Sequence, residues 1–419
     1  MLSKITGKIK DTLSKYHCQF KERSIDILAF NDINLLPVSD WNNLTNNELF
    51  WSVEYHSALQ KGSPKSISFR YLLIYENNVA IAAMYFQLLN LSGRTIKSVL
   101  NGEYLGSSLS SINGLKNHEF GKNQKEYLCI AGNLFVSGNY AMICRKTESE
   151  AYLKYLINEA FQQIKQHLKS DESIIAMLCK DFDEKETRLN NAFKGCGFLG
   201  FEIDPEMEMV LDKKWKGFED YLKALSSKYR IRAKNVLKKS NTITIADFGA
   251  DQIANYKTQI KSLFNSVYSQ APVKLAANNP DYFYFLKVNL KEHFRFKGYF
   301  FQGNLIGFAS AIYNDKCLRA HHIGLDYNFN TQLALYQTIL YNYIADAIHL
   351  NADWVNFGRD ALEIKSTVGA EPVKLKLYIK FTNPVTQLML DSFFKISNKK
   401  EWTQRRPFKE TALHNDDSI

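Results

Sequence analysis

The sequence predicts an α/β chain (α+β in the arrangement of its strands) made of two tandem repeats, each a mixed central sheet flanked by helices. Three observations predict it. From Thr242 to Phe381 the apolar segments run strand, two helices, three successive strands, a long helix, strand, short helix, strand, and a coarser copy of that order lies upstream. At 419 residues the chain is long enough for two domains that each bury a core. With 45% hydrophobic and 23% charged residues, its composition is that of a globular chain.

Each element of the second repeat has its own signal. Ile243 to Phe248 alternates as a strand, and Asp251 to Val267 and Asp281 to His293 carry helical periodicity. Strands Lys297 to Phe301 and Leu305 to Tyr313 flank Gln302, Gly303 and Asn304, a hairpin turn. A third strand covers Leu318 to Leu325. It is followed by a helix from Gln332 to Leu350, a strand from Trp354 to Phe357, a short helix near Leu362 and a closing strand from Val373 to Lys380. The crossover from the third strand through the long helix to Trp354 predicts a parallel pair, and ligands enter such sheets where strand order opens.

The first repeat is sparser. Two apolar runs between Ser66 and Leu91 join at Glu76, Asn77 and Asn78, which tolerate turn geometry. A strand-like run from Glu126 to Val136, a helix from Glu148 to Leu168, a strand from Ile174 to Leu178, a helix from Glu184 to Phe193 and a strand from Met207 to Leu211 complete it. The expected division is therefore a first domain over 1–212, a basic interdomain helix over 213–241, a second domain over 242–409 and a flexible tail over 410–419.

The net charge of +10 implies an anionic partner: nucleic acid, a membrane surface or a phosphorylated cofactor. Two segments concentrate the charge. Residues 1–16 place Leu2, Ile5, Ile9, Leu13 and Tyr16 on one helical face with Lys4, Lys8, Lys10 and Lys15 around it. That pattern suits either a helix packed on its own domain or peripheral membrane contact. In YLKALSSKYRIRAKNVLKK an apolar stripe of Leu222, Leu225, Tyr229, Val236 and Leu237 lies beneath seven cations. A solvated helix face is the commonest explanation of such a run; the alternative is capture of an acidic substrate, a cofactor phosphate or lipid head groups. Nucleic-acid binding fits less well, because aromatic interleaving is absent.

Other classes are disfavoured. The six cysteines are scattered without paired spacing and read as reduced thiols with no zinc site. There is no HExxH, Walker loop or GxSxG elbow, so metal, nucleotide-hydrolase and serine-hydrolase chemistry have no motif. No apolar run approaches the roughly 20 residues that span a bilayer, and no signal-peptide pattern is seen. The expected location is the cytoplasm, with the inner-membrane surface as an extension of it.

SSKYRIRAKNVLKK resembles the Ser-x-Lys-x-Arg-x-x-x-(Arg/Lys) helix that opens the second domain of FemAB-like proteins. NFGRDALEIKSTVGAEPVKLKLYIK resembles the family's Phe-Gly-Arg-(x)n-Lys-x-x-x-Gly-Ala segment, and EWTQRRPFK its basic tail. The resemblance covers about residues 215 to 409, and the first repeat only by element order. It implies two tandem GNAT-like folds of the FemAB-like or CelD-BioF-like acyltransferases, with acyl-CoA as co-substrate and a primary amine as acceptor. The family's usual acyl-CoA turn, (Gln/Arg)-x-x-Gly-x-(Gly/Ala), is replaced here by Asn328 to Ala334 without a glycine.

Acyl transfer to an amine requires a base, an oxyanion donor and an acid for the departing thiolate. His321 and His322 lie on the third strand beside the expected opening. Strand alternation predicts that one of them faces it as base and the other packs inward. Asp326 and Tyr327 follow as second candidates for base and acid, or as turn formers. Asn330, Thr331 and Gln332 are placed to cap the long helix and leave amides for a pyrophosphate. Arg359 and Lys365 read as anchors for a carboxylate or phosphate, or else Arg359 pairs with Glu363 along a helix.

The expectation is an N-acyltransferase whose second domain holds the donor and whose interdomain cleft admits a small-molecule or lipid amine. The alternatives are aminoacyl-tRNA-dependent transfer in cell-wall synthesis, the one reading with a nucleic-acid partner, and a non-catalytic lipid- or protein-binding module.

Overall fold

Asn77 and Asn78 have φ of 49° and 61°, and Gln302 and Gly303 have 50° and 77°. Positive φ at both central positions gives the two-residue turn whose twist matches its flanking strands. Each pair therefore closes a hairpin in register, Glu76 opposite Val79 and Phe301 opposite Asn304. This computed structural model describes residues 13–92, 125–145, 148–183, 185–271, 279, 281–384, 387 and 402–409.

The strands are β1 (Leu13–Phe20), β2 (Arg23–Phe30), β3 (Ile67–Glu76), β4 (Val79–Asn90), β5 (Lys125–Ala131), β6 (Met142–Cys144) and β7 (Glu172–Asp183). They continue as β8 (Leu199–Val210), β9 (Thr244–Asp247), β10 (Phe294–Phe301), β11 (Asn304–Asn314), β12 (Cys317–Leu325), β13 (Trp354–Asn356) and β14 (Glu371–Phe381). The helices of the first part are α1 (Val38–Thr45), α2 (Val53–Gly62), α3 (Glu150–Gln166) and α4 (Thr187–Gly195). Those of the second are α5 (Phe218–Ala224), α6 (Ser227–Lys239), α7 (Ala250–Asn255), α8 (Lys257–Tyr268), α9 (Tyr282–Leu290), α10 (Tyr327–Leu333), α11 (Leu335–His349) and α12 (Leu362–Ser366).

Two compact units result. One comprises Met1–Ile203, Pro272–Asn279 and Leu375–Asn398, the other Asp204–Ala271, Pro280–Lys374 and Lys399–Ile419. In the first, the strand order is β1-β2-β3-β4-β5-β7-β14, with β5 and β7 parallel and β6 paired to β4. Leu72 and Ile74 of β3 and Met84, Phe86 and Leu88 of β4 face a core with α3. The alternate residues Tyr71 and Tyr85 point to the opposite face, where their rings meet Trp41, Trp51 and His56.

The second unit orders its strands β9-β10-β11-β12-β13, with β13 pairing the end of β8. All pairs are antiparallel except β12 with β13, joined by the crossover through α11. Leu335, Ile339, Tyr343 and Ile344 of α11 pack into a core with Leu318 and Val355.

The strand from Val373 to Lys380, which the sequence places in the second repeat, pairs from Leu375 onward with β7 of the first unit. Conversely, Glu208 to Val210 of β8, read as the end of the first repeat, pair with β13. Periodicity marks a strand but not its partner, so this exchange left no trace in the sequence.

The helix expected over residues 1–16 is not formed from Leu13 onward, and residues 1–12 lie outside the described residues. Leu13–Phe20 is a strand, paired along its length with β2. Tyr16, Cys18 and Phe20 pack on the core while Lys15, His17 and Gln19 are exposed, a period of two that overrides the helical spacing. The long helix begins at Leu335 rather than Gln332, because Ala334 adopts φ 50° and separates α10 from α11. The stripe expected on the basic helix is also narrower: Ala233 and Val236 are buried, whereas Leu237 is 36% exposed. All six cysteines are free. Among the described residues no helix is long and apolar enough to cross a membrane.

Candidate active site

The site is built on an irregularity of β12. Ala309 pairs with Ile323 and Ala311 with Ala320, so Ser310 alone opposes both His321 and His322. Such a bulge leaves one residue unpaired and re-aims its side chain. Ser310 fixes the bulge. Its Oγ accepts from the His322 amide at 3.0 Å and donates to the His322 carbonyl at 3.1 Å.

Strand alternation predicts that these two histidines face opposite sides of the sheet; the bulge brings them to the same side. Their ring centroids are 4.2 Å apart, and both rings pack against Tyr282 of α9, at 5.5 Å and 6.1 Å. Phe264 and Phe283 border His322, and Phe294 borders His321. Both side chains are half-buried. Protein atoms crowd them densely enough that burial pushes His322 down to about 4 and, with His322 adding to the effect, His321 well below its ordinary value.

His321 is held at both ring nitrogens: Nε2 lies 3.0 Å from Tyr282 Oη and Nδ1 3.4 Å from Ser310 Oγ. Nothing in the sequence marked Ser310 or Tyr282 for this chain. A serine inside an apolar strand and a tyrosine in an aromatic helix look like packing.

The opening lies directly beside the bulge. Parallel pairing of β12 with β13 ends at Arg319 and Asn356, one residue before Ala320. Beyond it the chain turns away at Gly358, φ 70°, with Asp360 and Ala361 also at positive φ. This turn is held from within. Asn356, fully buried, donates to Glu206 and Glu208 and accepts from the Gly358 amide at 2.8 Å. Lys365 donates from Nζ to the carbonyls of Gly358, at 3.2 Å, and Arg359. Burial lowers the Lys365 ammonium to about 8 despite Asp360 and Glu206 nearby. Lys365 is thus a positioning residue for the turn, and Arg359 is half-buried on that turn.

The remaining sequence candidates take local roles around α10. Asp326 is its N-cap, accepting from the Asn328 amide at 3.0 Å, and Tyr327 is exposed in the first turn. Thr331 and Gln332 are exposed on α10. Asn330 Oδ1 accepts from the Tyr336 amide at 2.9 Å, so Asn330 caps the start of α11. Glu363 pairs with Arg405 of the basic segment near the end of the chain. Among the described residues no cluster of three or more His, Cys, Asp or Glu side chains could hold a metal ion.

Among the described residues the first unit shows continuous pairing at the equivalent place. There β5 stays paired with β7 to its end, Ala131 with Cys179. The next residue, Lys180, donates to the carbonyls of Asn133, at 2.9 Å, and Val136, at 3.0 Å, and pairs with Asp181. The loop after β5 is tied down over the strand ends.

Comparison with known proteins supports the fold. No family model matches the chain, and no curated protein matches it. Among solved structures it is similar to FemX, with a TM-score of 0.51 and 10% identity over 84% of this chain and 98% of that one. A tandem GNAT protein from the clavulanic acid biosynthesis pathway gives a TM-score of 0.47 at 8% identity over 86% and 99% of the two chains. The C-terminal domain of a putative lysylphosphatidylglycerol synthetase from Agrobacterium fabrum gives 0.44 at 7% identity over 85% and 94%. The chain shares the fold of FemX, the FemAB-like fold that the sequence motifs imply.

Proposed function

We propose that the chain is an N-acyltransferase that moves an acyl group from a thioester of the acyl-CoA class to a primary amine held on the α8 and α9 side of β12. The observation that carries this reading is the bulge, which sets two neutral imidazoles beside the point where β12 parts from β13. In the reaction the amine nitrogen attacks the thioester carbonyl, the C–N bond forms and the C–S bond breaks. The amine proton passes to an imidazole and a proton returns to the departing thiolate. His322 is the base. Attack makes the amine N–H strongly acidic, so a base of depressed pKa takes the proton as the bond forms. The Tyr282–His321–Ser310 chain holds the second ring neutral beside it.

A backbone amide of β12 beyond Arg319, where β13 no longer pairs, would polarise the carbonyl. The start of α11, capped by Asn330, is the place for the donor's phosphates. Without a glycine there, those phosphates have fewer backbone amides within reach. Phe264, Tyr282 and Phe283, buried against the two imidazoles, make the surroundings of His322 apolar, which favours an amine with an apolar body, such as a long-chain amino alcohol, over an amino sugar.

Calorimetric titration with acetyl-CoA and palmitoyl-CoA tests the proposal. Saturable binding that prefers one chain length and weakens in Arg359→Ala supports it, and absence of binding to either overturns the CoA donor. A second reading, transfer from an aminoacyl-tRNA, rests on the glycine-free turn and the cationic helix α6, and tRNA binding in place of CoA binding would establish it.

A further inference from the structure

Helix α6 carries six cations, Lys228, Arg230, Arg232, Lys234, Lys238 and Lys239, and no carboxylate. None of them forms an ion pair with another described residue. Lys228 with Arg232, Arg230 with Lys234 and Lys234 with Lys238 stand four apart, a spacing at which like charges destabilise a helix. Five are exposed, all but Arg230, and in their midst Ile231 is 60% exposed. The helix packs beside α10 and α11, the elements that frame the donor end of the opening. A helix that keeps this repulsion at the donor end of a site has its counter-charges elsewhere.

We infer that α6 is the docking face for a small acidic carrier protein that delivers the acyl group as a thioester on its prosthetic arm. The inference rests on the acyl-transfer reading and names the source of the donor. Charge complementarity selects the occupant. An interfacial helix binds a bilayer through its apolar face, but on α6 that face, Ala233 and Val236, is spent on the unit's own core. A single-stranded nucleic acid is gripped by aromatic rings between cations, and the exposed face of α6 has none; a tRNA would meet the same cations through its phosphates, and the test below sets it against the carrier. What remains, a ring of cations around one protruding isoleucine, fits an acidic helix with a small apolar notch. It also accounts for the glycine-free turn before α11: a donor held by its protein body relies less on a pyrophosphate cradle.

The test measures binding and turnover separately, using palmitoyl-loaded bacterial acyl carrier protein, palmitoyl-CoA, tRNA and vesicles of phosphatidylglycerol and phosphatidylcholine in equal parts. The wild-type protein is compared with Lys234→Glu/Lys238→Glu and with the milder Lys234→Gln/Lys238→Gln, each checked for an unchanged melting temperature. The expected result is saturable carrier binding that falls by about tenfold or more on charge reversal and less on neutralisation, with a matching loss of kcat/KM for the carrier substrate alone. Equal effects of both variants on carrier and CoA substrates, or binding of vesicles or tRNA without the carrier, overturn the docking face. Carrier binding with no turnover of either thioester overturns the transferase reading while leaving the docking face in place.

Discussion

His321 and His322, adjacent on β12, hold their ring centroids 4.2 Å apart because Ser310 alone opposes both across the sheet. One residue added to a strand thus converts an alternating pair into a facing pair. Removing the His322 ring should cost more than removing its neighbour. His322→Ala is expected to lower kcat/KM for the thioester by about a hundredfold or more, the range of a lost general base. With its pKa held down near 4, His322 stays neutral through the physiological range. Beyond the limb that the ammonium form of the amine substrate imposes, a further break should appear near pH 4, and a break at the ordinary histidine value of 6.5 would remove His322 from the role.

Ser310→Ala leaves the amide and carbonyl of His322 without their shared partner. The expected loss is about 1–2 kcal/mol of stability, together with a fall in kcat larger than any rise in KM. Urea unfolding and steady-state kinetics on the same preparation separate the two, and a change in KM alone would mean the bulge survives without the hydroxyl.

Acid should loosen the fold through the same histidines and through His56, fully buried among Trp41, Tyr71 and Tyr85 and pushed down to about 3. Folded pKa values below the unfolded value mean that the unfolded chain binds more protons once the pH drops under 6.5. Stability is then complete above that value and is lost progressively as pH falls toward 4 and 3. His56→Phe keeps an aromatic ring and removes one titration, so its melting temperature should decline less between pH 6.5 and 4 than that of the wild type. Parallel curves for the two proteins would refute the assignment.

Gly324 allows α8 to lie against β12. A Cβ there would stand 2.8 Å from the Leu263 carbonyl carbon and overlap the Phe308 ring. Gly324→Ala should cost about 3 kcal/mol or more, the upper range of overpacking, because backbone as well as a ring must move. Thermal unfolding checks it, and a change under about 1 kcal/mol would show that the helix shifts freely.

Lys365→Met keeps the length of the stem and deletes the donor to the Gly358 and Arg359 carbonyls. The turn should loosen, with about 1–3 kcal/mol lost on unfolding and weaker donor binding. If binding falls while stability is unchanged, the ammonium contacts the donor directly.

Much of the second unit was legible because its strands and helices are long and separated by clear turn residues. Gln302 with Gly303, and Asn77 with Asn78, announce their hairpins by composition alone. The third strand and the two histidines were located correctly, yet their orientation was not, since a bulge depends on the partner strand as much as on the residues it displaces. The break at Ala334 was hidden by a helix-forming residue in left-handed backbone. The first strand was missed because Leu13 and Tyr16 continue the helical spacing of Leu2, Ile5 and Ile9, and only the first four residues of the strand fall within residues 1–16. Lys365 reads as a ligand anchor in the sequence; the fold adds its contacts with the Gly358 and Arg359 carbonyls.

The exchange of β8 and β14 has a consequence for how the chain is made. The first sheet gains its last strand only when residues beyond Leu375 have been synthesised, so about nine-tenths of the chain must emerge before β7 is covered. Until then β7 presents an open, apolar edge of the kind that recruits other chains. Neither half should therefore be obtained as a well-behaved fragment by cutting between them. A break placed in the surface turn at Gln302 and Gly303 should be tolerated far better than one near the boundary that the sequence suggests.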